Sequence, residues 1–317
     1  MRIAFVGKGG TGKSTMAASF ALYLLKNTKK PIVIVDADLN IHIPELLGLG
    51  KLSLEKHLSH PETTEKIKQW LVGNNAIVDL GAFRKTTPPT KKSNIIEISH
   101  LEKSPLFNFG LHEKNLSVFA IGTYQDDEIG ASCYHNKLAI FEIILNHLDD
   151  KNGYLVADMV AGVDSFAGTL HAQFDLVCFV AEPTKKSIEV FKDYEKLAKK
   201  AGVAYALIVI GNKIRDVEDE KFLQDEIPTD KFFGTFLDDV HIRNIDRTDG
   251  KINFDKLHPT NKQLLEKIFN KINTLPDSRN IRLQKIYDLH KKYVAQPFIK
   301  DRYGDLCDQI DKDFKFE

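Results

Sequence analysis

Cysteine is scarce in this 317-residue chain: Cys133, Cys178 and Cys307 lie far apart and are odd in number. That pattern excludes a disulfide framework and suits a reducing compartment. An excess of either charge is missing too. Lys and Arg number 44 and Asp and Glu 44, for a formal net charge of +0. Bulk positive charge therefore cannot draw the chain to nucleic acid or anionic lipid, and only a local patch could do so. Apolar stretches such as Tyr205 to Ile210 fall far short of the ~20 residues a membrane helix needs. The start, Arg2-Ile3-Ala4-Phe5-Val6, is too short for a signal-peptide core and reads as a first strand. These absences leave the expectation of a cytoplasmic globular protein. With 43% hydrophobic and 28% charged residues it has material for one large domain or two small ones.

Short β-branched runs alternate with longer helix-like segments. Ile3–Val6, Ile32–Val35, Leu116–Ile121, Leu155–Ala157, Leu176–Val180 and Ala206–Ile210 are almost continuously apolar, as strands buried on both faces are. Ser14 to Lys26, Lys137 to Leu148, Lys186 to Lys200 and Asn261 to Ile272 carry apolar residues at spacings of three and four. The order predicts an α/β fold, doubly wound around a mostly parallel sheet. Two stretches depart from it. Residues 83–111 are rich in Pro, Lys, Ser and Thr and read as a long mobile insertion. After Pro276 the alternation stops. Arg279 to Gln296 places Leu283, Ile286, Tyr287, His290 and Val294 on one helical stripe, and a last polar helix is expected after Lys300. Residues 276–317 thus read as a helical extension of a main domain at 1–275.

Directly after the first strand stands Gly7-Lys8-Gly9-Gly10-Thr11-Gly12-Lys13-Ser14-Thr15, leading into a helix. This is a P-loop in its strand–loop–helix context. Backbone N–H groups of Gly9, Gly10, Thr11, Gly12 and Thr15 and the helix N-terminus can form an anion nest. Lys13 would reach the β- and γ-phosphates, and the Ser14 hydroxyl would ligate Mg²⁺. The chemistry implied is binding of a nucleotide's phosphates with Mg²⁺.

The extra lysine, Lys8, makes the loop resemble the deviant Walker A ATPases of the MinD/ParA type, where this lysine crosses a nucleotide-sandwich dimer to the partner's phosphates. The resemblance implies a slow, Mg²⁺-dependent, dimer-dependent ATPase in which Lys8 supplies charge in trans. It also implies roles further along. In Asp36-Ala37-Asp38 it makes Asp38 the carboxylate that orients the attacking water and puts Asp36 near the Mg²⁺ shell; capping of the next turn is the other reading for Asp36. In Val156-Ala157-Asp158-Met159-Val160-Ala161-Gly162, Asp158 would hold Mg²⁺ through water and the Gly162 N–H would meet the γ-phosphate. Asn212, ending the strand Leu207–Ile210, would read adenine, and the segment from Gly234 to Arg247 would complete the base pocket.

Several phrases resemble the CooC-like branch, which helps insert nickel into carbon monoxide dehydrogenase. They are Asp36-Ala37-Asp38-Leu39-Asn40, Asp158-Met159-Val160-Ala161-Gly162-Val163-Asp164 and Val180-Ala181-Glu182-Pro183-Thr184. That branch carries Cys-x-Cys before the helix preceding Asp158; here the place holds Cys133-Tyr134-His135. Two such pairs across a dimer could hold Zn²⁺ or Ni²⁺; a structural Cys and a surface His is the competing reading. The first functional expectation is an ATP-driven homodimer serving a metalloenzyme client. The alternatives are a MinD/ParA-like positioning or partitioning ATPase on a membrane or DNA, and a nucleotide-dependent adaptor for a protein client. The acidic end, Asp305 to Glu317, argues against a lipid anchor, and the acids interspersed among the lysine pairs argue against nucleic acid.

Overall fold

The computed structural model describes residues 1–123, 134–245, 247–248 and 250–317, with the side chains of 134–136 outside that description. Ten strands are present among them: β1 (Arg2–Val6), β2 (Ile32–Ala37), β3 (Ile96–Glu97), β4 (Leu111–Glu113), β5 (Leu116–Ala120), β6 (Leu148–Asp149), β7 (Tyr154–Met159), β8 (Leu176–Ala181), β9 (Leu207–Ile214) and β10 (Phe232–Leu237). Eight of them form one sheet in the order β10-β9-β8-β1-β7-β2-β5-β4, and β3 pairs with β6 apart from it. The pairing is parallel except at the β4 edge. The helices are α1 (Lys13–Asn27), α2 (Ile43–Leu46), α3 (Pro61–Val72), α4 (Tyr134–Asn146), α5 (Lys185–Lys200), α6 (Val217–Glu226), α7 (Val240–Ile245), α8 (Pro259–Asn273), α9 (Arg279–Val294) and α10 (Pro297–Tyr303).

Alternating side chains of each strand go to opposite faces, so the apolar runs feed two cores. Ile3, Phe5, Ile34, Val156 and Ile210 pack under α1 and α8, with Phe20, Leu24, Leu265 and Ile268. Ala4, Val6, Val35, Phe179 and Val209 pack under α3 to α6, with Ile67, Phe141, Phe191 and Leu223. The doubly wound, mostly parallel α/β sheet with a helical C-terminal region is as the alternation predicts.

Residues 83–111 differ from the mobile insertion expected of them. Phe83, Ile96, Ile98, Leu101 and Leu106 are buried in the second core. The polar composition is misleading because its threonines are themselves buried and partnered. Thr86 Oγ1 lies 2.8 Å from His290 Nδ1, Thr87 donates to Gln309 at 3.0 Å, and Thr90 accepts from Asn75 at 2.8 Å. Two of those partners belong to the C-terminal tail. The tail also differs from expectation at its end. Its last α-helix is α10, which starts at Pro297 and stops at Gly304, φ 75°, rather than following Lys300. Beyond it Phe316 packs on Leu283 and Tyr287. Pro at the first helical position and Gly just past the end set those limits.

At the edge where the parallel strands begin, four buried charges meet. Asp150 accepts from Arg2 Nε at 2.9 Å and pairs with Arg282 of α9. Asp175 accepts the Arg2 backbone N–H at 2.7 Å and pairs with Arg282. Although burial pushes the Asp150 carboxyl up, Arg2 and Arg282 hold it far below the usual carboxylate range.

Candidate functional site

The P-loop emerges at the opposite edge, where β1, flanked by β7 and β8, ends. In register, Phe5 lies beside Asp158 and Asp36 beside Asp158, so the loop, both carboxylates and the end of β8 converge. The loop, Asp38 and Glu182 line a cleft of about 1110 Å³ that runs from Gly9 and Lys13 past Asn212 to Phe236, Ile242 and Gly250, with Asp36 and Asp158 buried beneath it. A cleft outside the carboxyl ends of parallel strands is the usual ligand position in such sheets.

Helix α1 begins at Lys13 with no side-chain cap, and Gly12 precedes it at φ 90°. Its first N–H groups are therefore free for an anion. Gly12 is required twice over: by that φ, and because a Cβ there would stand 2.3 Å from Asn212 Nδ2. Lys13 is buried, with its Nζ 3.3 Å from Asp38 Oδ2. Lys8 is half-buried, and its ammonium has no partner among the described residues.

The two aspartates that pair in register are unequal. Asp36 is fully buried and spent on the backbone: Oδ2 accepts from the N–H groups of His42 (2.8 Å) and Ile43 (2.9 Å), and Oδ1 from Asp38 (3.3 Å). Burial raises its pKa to about 7 against those three donors. Asp36 thus holds the turn carrying Asp38. Asp158 is also fully buried, yet neither oxygen makes a hydrogen bond of ordinary geometry. Burial, then Asp36, raises its pKa well above the carboxylate value, while the neighbouring Ser14 hydroxyl and Lys13 favour its charge. A buried carboxylate with no hydrogen bond of ordinary geometry, beside a hydroxyl and a phosphate-binding lysine, fits a divalent cation.

Two other expected contacts are engaged differently. The Gly162 N–H donates to the Gly7 carbonyl at 3.0 Å, not into the cleft. Asn212, buried at the cleft wall, donates its amide to the Thr11 carbonyl at 2.7 Å, leaving its amide oxygen for a base. Gly9, Gly10, Gly12, Ser14 and Thr15 line the cleft, whereas Thr11 is buried and donates its hydroxyl to the Lys8 carbonyl at 2.9 Å. Cys133 lies outside the described residues, as does the side chain of His135. Sequence reasoning missed Lys213 and Glu182, which meet at 2.5 Å over the loop. An Asn-Lys pair at a strand end was a visible signal, but the bridge needs β8 and β9 side by side.

A family model described as ParA, NUBPL iron-transfer P-loop NTPase, matches residues 2–78. An ATP-binding protein of Methanocaldococcus jannaschii is 29% identical over 228 residues, covering 72% of this chain and 80% of that protein. The carbon monoxide dehydrogenase accessory protein CooC of Rhodospirillum rubrum is 25% identical over 249 residues, covering 78% of this chain and 87% of that one. The cell division ATPase MinD of Pyrococcus furiosus shares the fold, with a TM-score of 0.54 at 17% identity over 85% of this chain and 98% of that chain. No helix among the described residues is long and apolar enough to cross a membrane.

Proposed function

Since the chain is a P-loop NTPase of the ParA/MinD type, we propose that it binds ATP with Mg²⁺ in this cleft and acts as an ATP-driven dimerisation switch. The observation that carries the reading is the Asp158 carboxylate, buried beside Ser14 and Lys13 with no hydrogen bond of ordinary geometry. Ser14 and Asp158 would hold the metal, which supplies charge neutralisation at the β- and γ-phosphates. Lys13 would leave Asp38 for the phosphates, freeing that carboxylate to orient a water. Gly162 would exchange the Gly7 carbonyl for the γ-phosphate. Lys8, with no partner among the described residues, is the cation each site would lend to its twin.

The similarity to CooC over most of the chain favours a protein client that is a metalloenzyme under maturation. The nucleotide half of the reading is tested by titration, phosphate release and sedimentation. Lys13→Ala should abolish productive ATP binding. Lys8→Ala should keep ATP affinity within about threefold while losing hydrolysis by ~10²-fold and ATP-induced dimerisation; normal turnover in Lys8→Ala overturns the trans role. The metal half is tested by Zn²⁺ and Ni²⁺ content with and without ATP, for the parent and for Cys133→Ser with His135→Ala.

A further inference from the structure

Lys213 adopts φ 60° inside β9, whereas the other described non-glycine residues with positive φ, Lys114 and Asn152, sit in turns. A left-handed backbone at a lysine costs about 1 kcal/mol, and such outliers concentrate where a site needs them. Here the bend carries the side chain over the P-loop. Its Nζ donates to the Gly10 carbonyl at 2.7 Å and to Glu182 Oε1 at 2.5 Å. Glu182 is fixed in turn, because its backbone N–H donates to Ser187 Oγ at 3.1 Å at the start of α5.

Gly10 has little else to hold it. It is exposed, it has φ 84°, and a Cβ built on it would meet nothing within 4 Å. Its peptide with Thr11 is gripped at both ends: the carbonyl by Lys213, and the N–H by the Lys8 carbonyl at 3.3 Å. The next peptide is gripped by the neighbouring Asn212, whose amide takes the Thr11 carbonyl. In a trans peptide the N–H points away from the C=O. Holding the Thr11 carbonyl on the β9 side therefore turns the Gly12 N–H away from β9, beside the uncapped start of α1.

We infer that Lys213, braced by Glu182, is a positioning residue that fixes the phosphate-binding conformation of the P-loop from outside the loop. This rests on the cleft being a nucleotide site and adds a residue to it. The lysine need not touch the nucleotide. It restrains the Gly10–Thr11 peptide from flipping, so its contribution falls on phosphate affinity and not on the base.

The test is calorimetric binding of ATP, ADP and adenosine to the full chain, with melting of the nucleotide-free protein as the folding readout. Lys213→Gly removes the side chain and relieves the φ, so its melting temperature should hold or rise. ATP and ADP should bind about tenfold more weakly, adenosine should be unchanged, and Lys213→Arg, which still offers a donor, should recover most of the loss. Unchanged ATP affinity in Lys213→Gly, or an equal loss for adenosine, overturns the positioning role while leaving the nucleotide site standing. A parent chain that binds none of the three ligands overturns both.

Discussion

The two edges of the sheet each bury a cluster of charge, and they treat it in opposite ways. Where the strands begin, Arg2, Asp150, Asp175 and Arg282 are cross-paired, and the Arg282 Nε is the one polar atom of the four left without a partner. Where the strands end, neither Asp158 oxygen makes a hydrogen bond of ordinary geometry and the Lys8 ammonium has no anion among the described residues. Satisfied charge pins the tail to the sheet; unsatisfied charge waits for a ligand. The contrast matters because an unpaired buried charge is costly, so a fold keeps one chiefly where something else completes it.

The sharpest way to break the comparison is to remove one carboxylate charge at each edge. Asp150→Asn leaves Arg2 and Arg282 short of a counter-charge and should cost about 3–5 kcal/mol, seen as a large drop in melting temperature. Because the folded-state pKa of Asp150 is depressed, its contribution is present above its unfolded value of about 4 and lost as pH falls below it. A melting temperature unchanged in Asp150→Asn would show that the paired edge is no more structural than the other.

Asp158→Asn should do the reverse. Its folded pKa is raised, so the folded state binds the proton more tightly than the unfolded one. That stability is present below about pH 4 and lost as pH rises toward the folded value. The amide escapes the loss, so the nucleotide-free variant should gain ~1 kcal/mol at pH 8 while ATP binding ceases to strengthen with Mg²⁺. Destabilisation at pH 8, or retained Mg²⁺ dependence, would remove Asp158 from the cation site.

The smallest effect sharpens the paired side. His290 is buried, with Nε2 donating to the Leu306 carbonyl at 3.1 Å and Nδ1 placed to accept from Thr86. Burial lowers its pKa. Its neutral form supports folding above its unfolded value of about 6.5, and that support fades as pH falls from there toward the lower folded pKa. Between pH 7.5 and 5.5 the parent should lose up to ~1 kcal/mol more than His290→Gln, read by denaturant unfolding. Identical slopes would mean that the junction between the tail and residues 83–111 is indifferent to this ring.

Much of the scaffold was legible because its signals are local. The runs Ile3–Val6 and Leu176–Val180 became central strands, and Ser14 to Lys26 became α1 within a residue at each end. The P-loop was legible for the same reason: its glycines, lysine and helix start are contiguous. Residues 83–111 were misread because a buried threonine and a loop threonine look alike until the partner is known, and the partners of Thr86 and Thr87 lie 204 and 222 positions away. Asp158 was expected to hold Mg²⁺, and Asp36 either to lie near its shell or to cap the next turn. Only the N–H groups of His42 and Ile43, folded back onto Asp36, separate them.

By itself the amino-acid sequence determined the layer order, the phosphate loop and the family likeness, since periodicity and a nine-residue motif are short-range properties of the chain. The tertiary structure alone decided which charges are spent and which are free. Bringing Lys213 to Gly10, 203 positions apart, or Arg2 to Asp175, 173 apart, requires β8 and β9 on one side of β1 and β7 on the other. That strand order comes from packing two apolar faces at once, and no local window of residues contains it.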